Sequence, residues 1–160
     1  MLAPGYALRI HVEDLQHAMC ERPLIREYLL HYLHALMIHG SQMGLCAVRH
    51  TAEERLAGWI CLAHDALDAR SLPVTHADIS TSLGLRRATV TQMLNRMEHD
   101  GLIRKMRGVL EIESREGLDR RMCRCHHTIV RAYQQETQQR WMSPCSGSLQ
   151  PSHEEPEVVC

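Results

Sequence analysis

The stretch THADISTSLGLRRATVTQMLNRMEHDGLIRKMRGVLEI, residues 75–112, decides the fold. Thr75 and Asp78 stand three apart, so the hydroxyl and the carboxylate can each satisfy an orphan backbone amide. A helix with Ile79 and Leu83 facing inward is predicted to start there. Gly84 ends it by supplying the left-handed position that residues with a Cβ resist. Only Leu85 and Arg86 intervene before a second helix, predicted from about Arg87 to His99 on the helical spacing of Val90, Met93, Leu94 and Met97. Asp100-Gly101 stops that helix. Beyond it, Leu102 to Met106 and Val109 to Ile112 alternate around Arg107-Gly108 and read as a β-hairpin. A short helix, a tight turn, a longer helix and a hairpin, in that order, are the elements of a winged helix-turn-helix.

Upstream, Thr51-Ala52-Glu53-Glu54 is a second capping box and predicts a helix through Leu56, Trp59, Ile60 and Ala63. Between Asp65 and Pro73 the chain turns polar, so a loop is expected there. Further upstream, Ile25, Leu29, Tyr32, Leu36, Met43 and Cys46, with His39 in the same seam, line one side of a helix beginning near Pro23. Leu30, Leu33 and Met37 form a second stripe beside the first, so this helix must pack on two things. Downstream of Ser114 one further helix is expected through about Trp141, with Leu118, Met122, Ile129 and Tyr133 on its apolar face. Beyond Ser143 the Pro, Ser, Gly and Glu content cannot bury a core, and the tail reads as disordered.

A length of 160 residues allows one compact domain or two small modules and excludes a large multidomain enzyme. Net charge is −1, so any nucleic-acid footprint must be local. The 44% hydrophobic and 23% charged content is that of a globular chain, yet Phe is absent, and the core must come from Leu, Ile, Val, Ala and nine Met. Seven cysteines, an odd number with no C-x-x-C pair and no secretory leader at Met1 to Gly5, read as reduced thiols of a cytoplasmic protein. Tyr28 to Val48 carries no formal charge and is long enough to span a bilayer, but His31, His34, His39, Ser41 and Gln42 would cost more in hydrocarbon than its leucines return.

The second helix of the 75–112 stretch presents Arg87, Ala88, Thr91, Gln92, Asn95 and Arg96 away from its apolar stripe. Arg87 can offer two parallel donors to guanine O6 and N7, and Gln92, one turn on, can pair with adenine. From Pro73 to Gly108, Arg86, Arg87, Arg96, Arg104, Lys105 and Arg107 face Asp78, Glu98 and Asp100, six cations against three anions, so a near-neutral chain contains a basic module of net charge +3. Arg104, Lys105 and Arg107 lie on the wing, where phosphates would meet them. The blander reading, a solvated helical hairpin, leaves the wing and its cations unexplained.

Several segments resemble the Crp/Fnr family of bacterial transcription regulators: Thr51 to Trp59, Leu72 to Thr75, Ser82 to Thr91, and Gly101-Leu102-Ile103 with Arg107-Gly108. The resemblance covers roughly Ala7 to Tyr133. It implies a mainly α fold with a small β-wing, a long dimerisation helix followed by a winged helix-turn-helix domain. It implies a homodimer on double-stranded promoter DNA, with RNA polymerase as a further partner. Arg86, Arg87, Ala88, Thr89, Thr91, Gln92, Asn95, Arg96, Arg104, Lys105 and Arg107 are the expected DNA-facing residues, with Arg87, Ala88 and Gln92 at the base-reading positions. Ala88 replaces the glutamate common there, and Arg86 the usual serine cap. Ile25, Leu29, Tyr32, Leu36, His39 and Met43 are the expected dimer seam, in which two protonated His39 rings would face each other below about pH 6. Expected boundaries are 1–22 for the end of an effector domain, 23–48 for the dimerisation helix, 49–141 for the DNA-binding domain and 142–160 for the tail. Ala7-Leu8-Arg9-Ile10 looks like the last strand of the family's sensor barrel. The rest of that barrel is expected to be missing, and with it the residues for cyclic nucleotide.

Rival sites are weaker. Cys123-x-Cys125-His126-His127 is too closely spaced to converge on one ion from a single helix, and His31 with His34 make only two ligands, so no metal or other cofactor is expected. Glu53-Glu54 belong to the cap. No phosphate loop, nucleophile elbow or H-E-x-x-H motif is present, and the chain does not read as an enzyme. The serious rival function is a truncated dimerising fragment that pairs with other regulators and binds no DNA itself.

Overall fold

The computed structural model describes residues 7–67 and 69–138. Seven helices and a small sheet follow in the order α1 (Val12–Glu21), α2 (Pro23–Arg49), α3 (Ala52–Leu67), β1 (Ser71–Leu72), α4 (His76–Leu83), α5 (Arg87–His99), β2 (Ile103–Met106), β3 (Val109–Ile112), α6 (Arg115–Arg121) and α7 (Cys125–Gln138). The three strands are antiparallel in the order β1-β3-β2. The architecture is a winged helix-turn-helix carried behind one long helix.

The local signals act as the residues require. Thr51 and Glu54 close the cap of α3, with the Thr51 amide donating to Glu54 Oε2 at 2.8 Å and the Glu54 amide to Thr51 Oγ1 at 3.3 Å. Thr75 and Asp78 do the same for α4. Gly84 takes the left-handed conformation, φ 62°, that turns the chain from α4 into α5. Gly108 at φ 75° folds the tip of the wing between β2 and β3. The core lies beneath α4 and α5. Leu56 and Ile60 of α3, Leu72 of β1, Ile79, Leu94, Met97, Ile103 and Leu118 are all fully buried in it.

Four expectations need correction. The polar stretch before Pro73 contains strand β1, because Leu72 seals the core while its backbone pairs with Leu110 at the free edge of the hairpin. The helix expected from Ser114 to Trp141 breaks at Met122–Arg124, and Trp141 lies outside the described residues. Leu118 packs against α3 in the module core, whereas Ile129 lines a cavity with Met43 and Cys46 of α2. One straight helix cannot serve both surfaces. Ala7 to Ile10, expected to be the last strand of a barrel, form no strand, and the residues that follow, Val12–Glu21, are helical. Finally, α2 packs on α7 within the same chain, which takes up part of the seam expected to face a second copy.

Candidate nucleic-acid interface

Burial of Val90, Met93, Leu94 and Met97 fixes the rotation of α5 and thereby sets what it shows to solvent. Ala88, Gln92 and Asn95 recur at the spacing of one helical face, opposite that stripe, and all three are exposed. His99 shares the face and is exposed too. The sequence reading missed it, although the same spacing of three and four leads to it. Arg86, the residue before the helix, and Arg87, its first residue, are exposed.

Arg87 borders a groove of about 260 Å³ whose walls include Thr75, which caps α4, His76 and Ile79 of α4, and Lys105 and Gly108 of the wing. Thr91 does not point outward. Its hydroxyl donates to the Arg87 carbonyl at 3.0 Å and lies 3.0 Å from His76 Nδ1, so it ties α5 to α4. Thr89 is half-buried on the opposite flank.

The cations divide into two groups. Arg96 is paired with Glu53 at 3.0 Å, Glu53 with Arg121 at 2.9 Å, and Arg121 with Asp100 at 2.6 Å, a chain of charges that joins α5 to α3 and α6. Arg104 meets Glu113 at 3.0 Å, and Lys105 meets Glu98 at 2.9 Å and also Asn95 Oδ1. By contrast Arg86, Arg87 and Arg107 are exposed and make no ion pair among the described residues. Exposed pairs are worth about 0 to 1 kcal/mol each, so Arg104 and Lys105 can exchange their carboxylates for phosphate at small cost. Arg96 and Arg104 each share their carboxylate with a second cation, Glu53 with Arg121 and Glu113 with Arg70, but the network of Arg96 is the one that joins α5 to α3 and α6.

On α2, the expected seam is partly occupied from within. His39 Nδ1 lies 3.1 Å from the Tyr133 hydroxyl of α7, and the Tyr32 and Tyr133 rings stand 6.2 Å apart. Met43 leans on the module core. Ile25 and Leu29 are half-buried, and Leu36 remains 40% exposed. The second stripe is the open one, with Leu30 56%, Leu33 54%, Met37 71% and Val48 87% exposed.

Three histidines link this geometry to pH. Burial holds His39, His76 and His126 below the usual imidazole value, and at His76 the charges of Lys105 and Arg87 push the same way. At His126 the nearby Asp65 carboxylate, 3.3 Å from Nε2, opposes burial without overcoming it. A lowered folded pKa means that the unfolded chain takes up protons first as pH falls. Stability is therefore full above about 6.5 and is lost as pH drops below it. The melting temperature should be lower at pH 5.5 than at 7.5, and His126→Asn should shrink the difference. A melting temperature that rises on acidification would contradict this.

Residues 54–121 match the family model of the Crp-like helix-turn-helix domain. Among solved structures, a transcriptional regulator of the Crp/Fnr family from Eubacterium rectale aligns with a TM-score of 0.54 and 20% identity, over 70% of this chain and 52% of its own. A mutant CooA from Carboxydothermus hydrogenoformans gives 0.59 and 20%, over 68% and 54%. A CRP-family regulator from Thermus thermophilus gives 0.52 and 18%, over 70% and 55%. At these identities the likeness is one of fold, and the chain spans about half the length of the structures it matches. Comparison with curated proteins finds no match. Among the described residues no helix is long and apolar enough to cross a membrane.

Proposed function

From the premise that residues 54–121 belong to the Crp-like helix-turn-helix family, we propose that the chain is a sequence-specific DNA-binding transcriptional regulator that grips promoter DNA as a homodimer. The observation that carries this reading is the outward face of α5, with Ala88, Gln92 and Asn95 at its centre and the exposed Arg86 and Arg87, which make no ion pair among the described residues, at its leading end. That end is the part of a recognition helix that enters the major groove. Arg87 and Gln92 read base edges. Arg86 and Arg107 meet phosphates from the two sides, and Arg104 and Lys105 join them by releasing Glu113 and Glu98. Thr91 and Arg96 hold the helix in place rather than touching DNA.

The dimer forms through α2, by the face that carries Leu30, Leu33, Met37 and Val48. Two such modules would meet half-sites about one helical turn, 34 Å, apart. Contact with RNA polymerase follows from the family resemblance alone, and residence in the cytoplasm from the seven cysteines that read as reduced thiols.

Arg87→Ala should weaken binding to a selected operator by about 1 to 3 kcal/mol while leaving binding to random duplex nearly unchanged. Arg107→Ala should weaken both alike and lower the slope of log K against log salt by about one. Fluorescence anisotropy with the two duplexes over a salt series separates them. Equal loss on both duplexes for Arg87→Ala would remove its base-reading role. Failure of the wild type to bind any duplex would favour the dimerising fragment without DNA, which the open stripe of α2 supports equally well.

A further inference from the structure

Cys46 and His50 occupy the last turn of α2 and the position that caps it, four residues apart and therefore on one face. Cys123 and Cys125 flank the break between α6 and α7. The fold brings these two pairs together although 73 or more residues separate them in the chain. Cys46 Sγ lies 3.4 Å from Cys123 Sγ, Cys125 Sγ lies 3.7 Å from His50 Nδ1, and all four atoms fall within 4.8 Å of one another. The three thiols are buried and His50 is half-buried.

We propose that Cys46, His50, Cys123 and Cys125 form a binding site for a single Zn²⁺ ion. The ligand chemistry is the Cys₃His set of structural zinc sites, contributed as two separated pairs. In a tetrahedron with bonds of about 2.3 Å the ligand atoms stand about 3.8 Å apart; the Cys46–Cys123 and Cys125–His50 separations of 3.4 and 3.7 Å come within a few tenths of an ångström of that, and the rest lie within 4.8 Å. An iron–sulfur cluster would interpose irons and sulfides and hold the thiolates wider apart. His126 and His127, adjacent in sequence, are not among the four.

Binding replaces three S–H bonds with three Zn–S bonds and releases three protons, and His50 binds as the neutral imidazole with no change of oxidation state. The loaded site then carries one net negative charge, and Arg55 lies on the wall of the same cavity to balance it. In the metal-free cluster burial, with the neighbouring Cys123 and Cys125, pushes the Cys46 thiol up to about 12, and burial with Cys123 beside it raises Cys125 as well. A divalent cation removes that obstacle. Because its ligands come from the end of α2 and from the α6–α7 turn, the ion would pin the long helix to the winged module. This inference does not depend on the chain binding DNA.

The test is metal content and spectroscopy of the full chain under reducing conditions. Zinc loaded in excess and desalted should remain at one ion per chain, three protons should be released per ion bound at pH 7.5, and the affinity should fall as pH is lowered. Cobalt(II) in its place should show the intense visible bands of a tetrahedral thiolate-rich site. Chelation should lower the melting temperature. Cys46→Ser and Cys123→Ser should each weaken zinc binding by more than the roughly 10- to 100-fold that loss of an outer-shell partner costs. His50→Asn should weaken binding with the fold intact by circular dichroism. Cys20→Ser and the double variant Cys145→Ser/Cys160→Ser should retain the ion. A wild type that retains no zinc or that shows octahedral cobalt would overturn the site. So would equal loss in the Cys20→Ser control, or a Cys46–Cys123 disulfide as the only product of the four residues.

Discussion

Leu94→Ala is expected to destabilise the chain by about 2 to 5 kcal/mol, the range for truncating a fully buried leucine. Leu94 has no exposed surface and sits mid-way along α5. The core it joins is built from α3, β1, α4, the β2–β3 hairpin and α6. A cavity opened among so many elements cannot close by the shift of one of them, so little of the loss is recovered. Domains of this size are stable by about 5 to 15 kcal/mol in total, and a loss at the upper end would leave a sizeable unfolded fraction at growth temperature. Urea unfolding should show a lower midpoint with the slope unchanged. Gln92→Ala, on the opposite side of the same helix, is the matched control: stability within about 0.5 kcal/mol of wild type, affinity for operator reduced. A Leu94→Ala loss below about 1 kcal/mol would mean that α5 is held by its ion pairs and not by its stripe.

Much of this arrangement was legible because short-range chemistry controls it. Both Thr-x-x-acid boxes, Gly84 and Arg107-Gly108 act within four residues of themselves, and no distant contact competes with them. β1 was not legible: two residues carry no periodicity, and Ser71-Leu72 becomes a strand only because β3 has a free edge to pair. The break at Met122 was hidden for a related reason. Leu118 and Ile129 are eleven apart and would share one face of a continuous helix, so periodicity alone cannot show that they serve different surfaces.

The candidate interface divides in the same way. Exposure of Arg87, Ala88, Gln92 and Asn95 follows from the stripe opposite them, but the ion pairs of Arg96 with Glu53 and Arg104 with Glu113 join residues 43 and 9 positions apart and needed the fold. The cysteine–histidine cluster is the extreme case: Cys123 and Cys125 stand out in the sequence only beside His126 and His127, which are not among the four, and join Cys46 and His50 only when α7 folds back on α2.

The second large effect is expected at α2. Both of its stripes are apolar in sequence, and the choice between them as the dimer face depends on what else in the chain needs covering. α7 covers the side of Tyr32 and His39, leaving Leu30, Leu33, Met37 and Val48 in water. Burying side chains of this kind contributes about 1.5 to 3 kcal/mol each, enough for a row of them on each protomer to hold a dimer together. Gly40 and Gly44 lie between Met37 and Val48 with open space around them, so a second helix can approach closely there. Leu33→Glu should therefore convert the dimer to monomer. Operator affinity should fall by about 10²- to 10⁴-fold, because the second half-site is no longer delivered at high effective concentration. Leu36→Glu, nearer the side that α7 occupies, should weaken the dimer less, and acidification should act on the fit of α7 to α2 through His39 rather than on the dimer seam. Sedimentation velocity of the wild type and both variants at pH 7.5 and 5.5 separates these outcomes. A dimer untouched by Leu33→Glu and broken by Leu36→Glu would return the seam to the Tyr32 side and require α7 to move away on assembly.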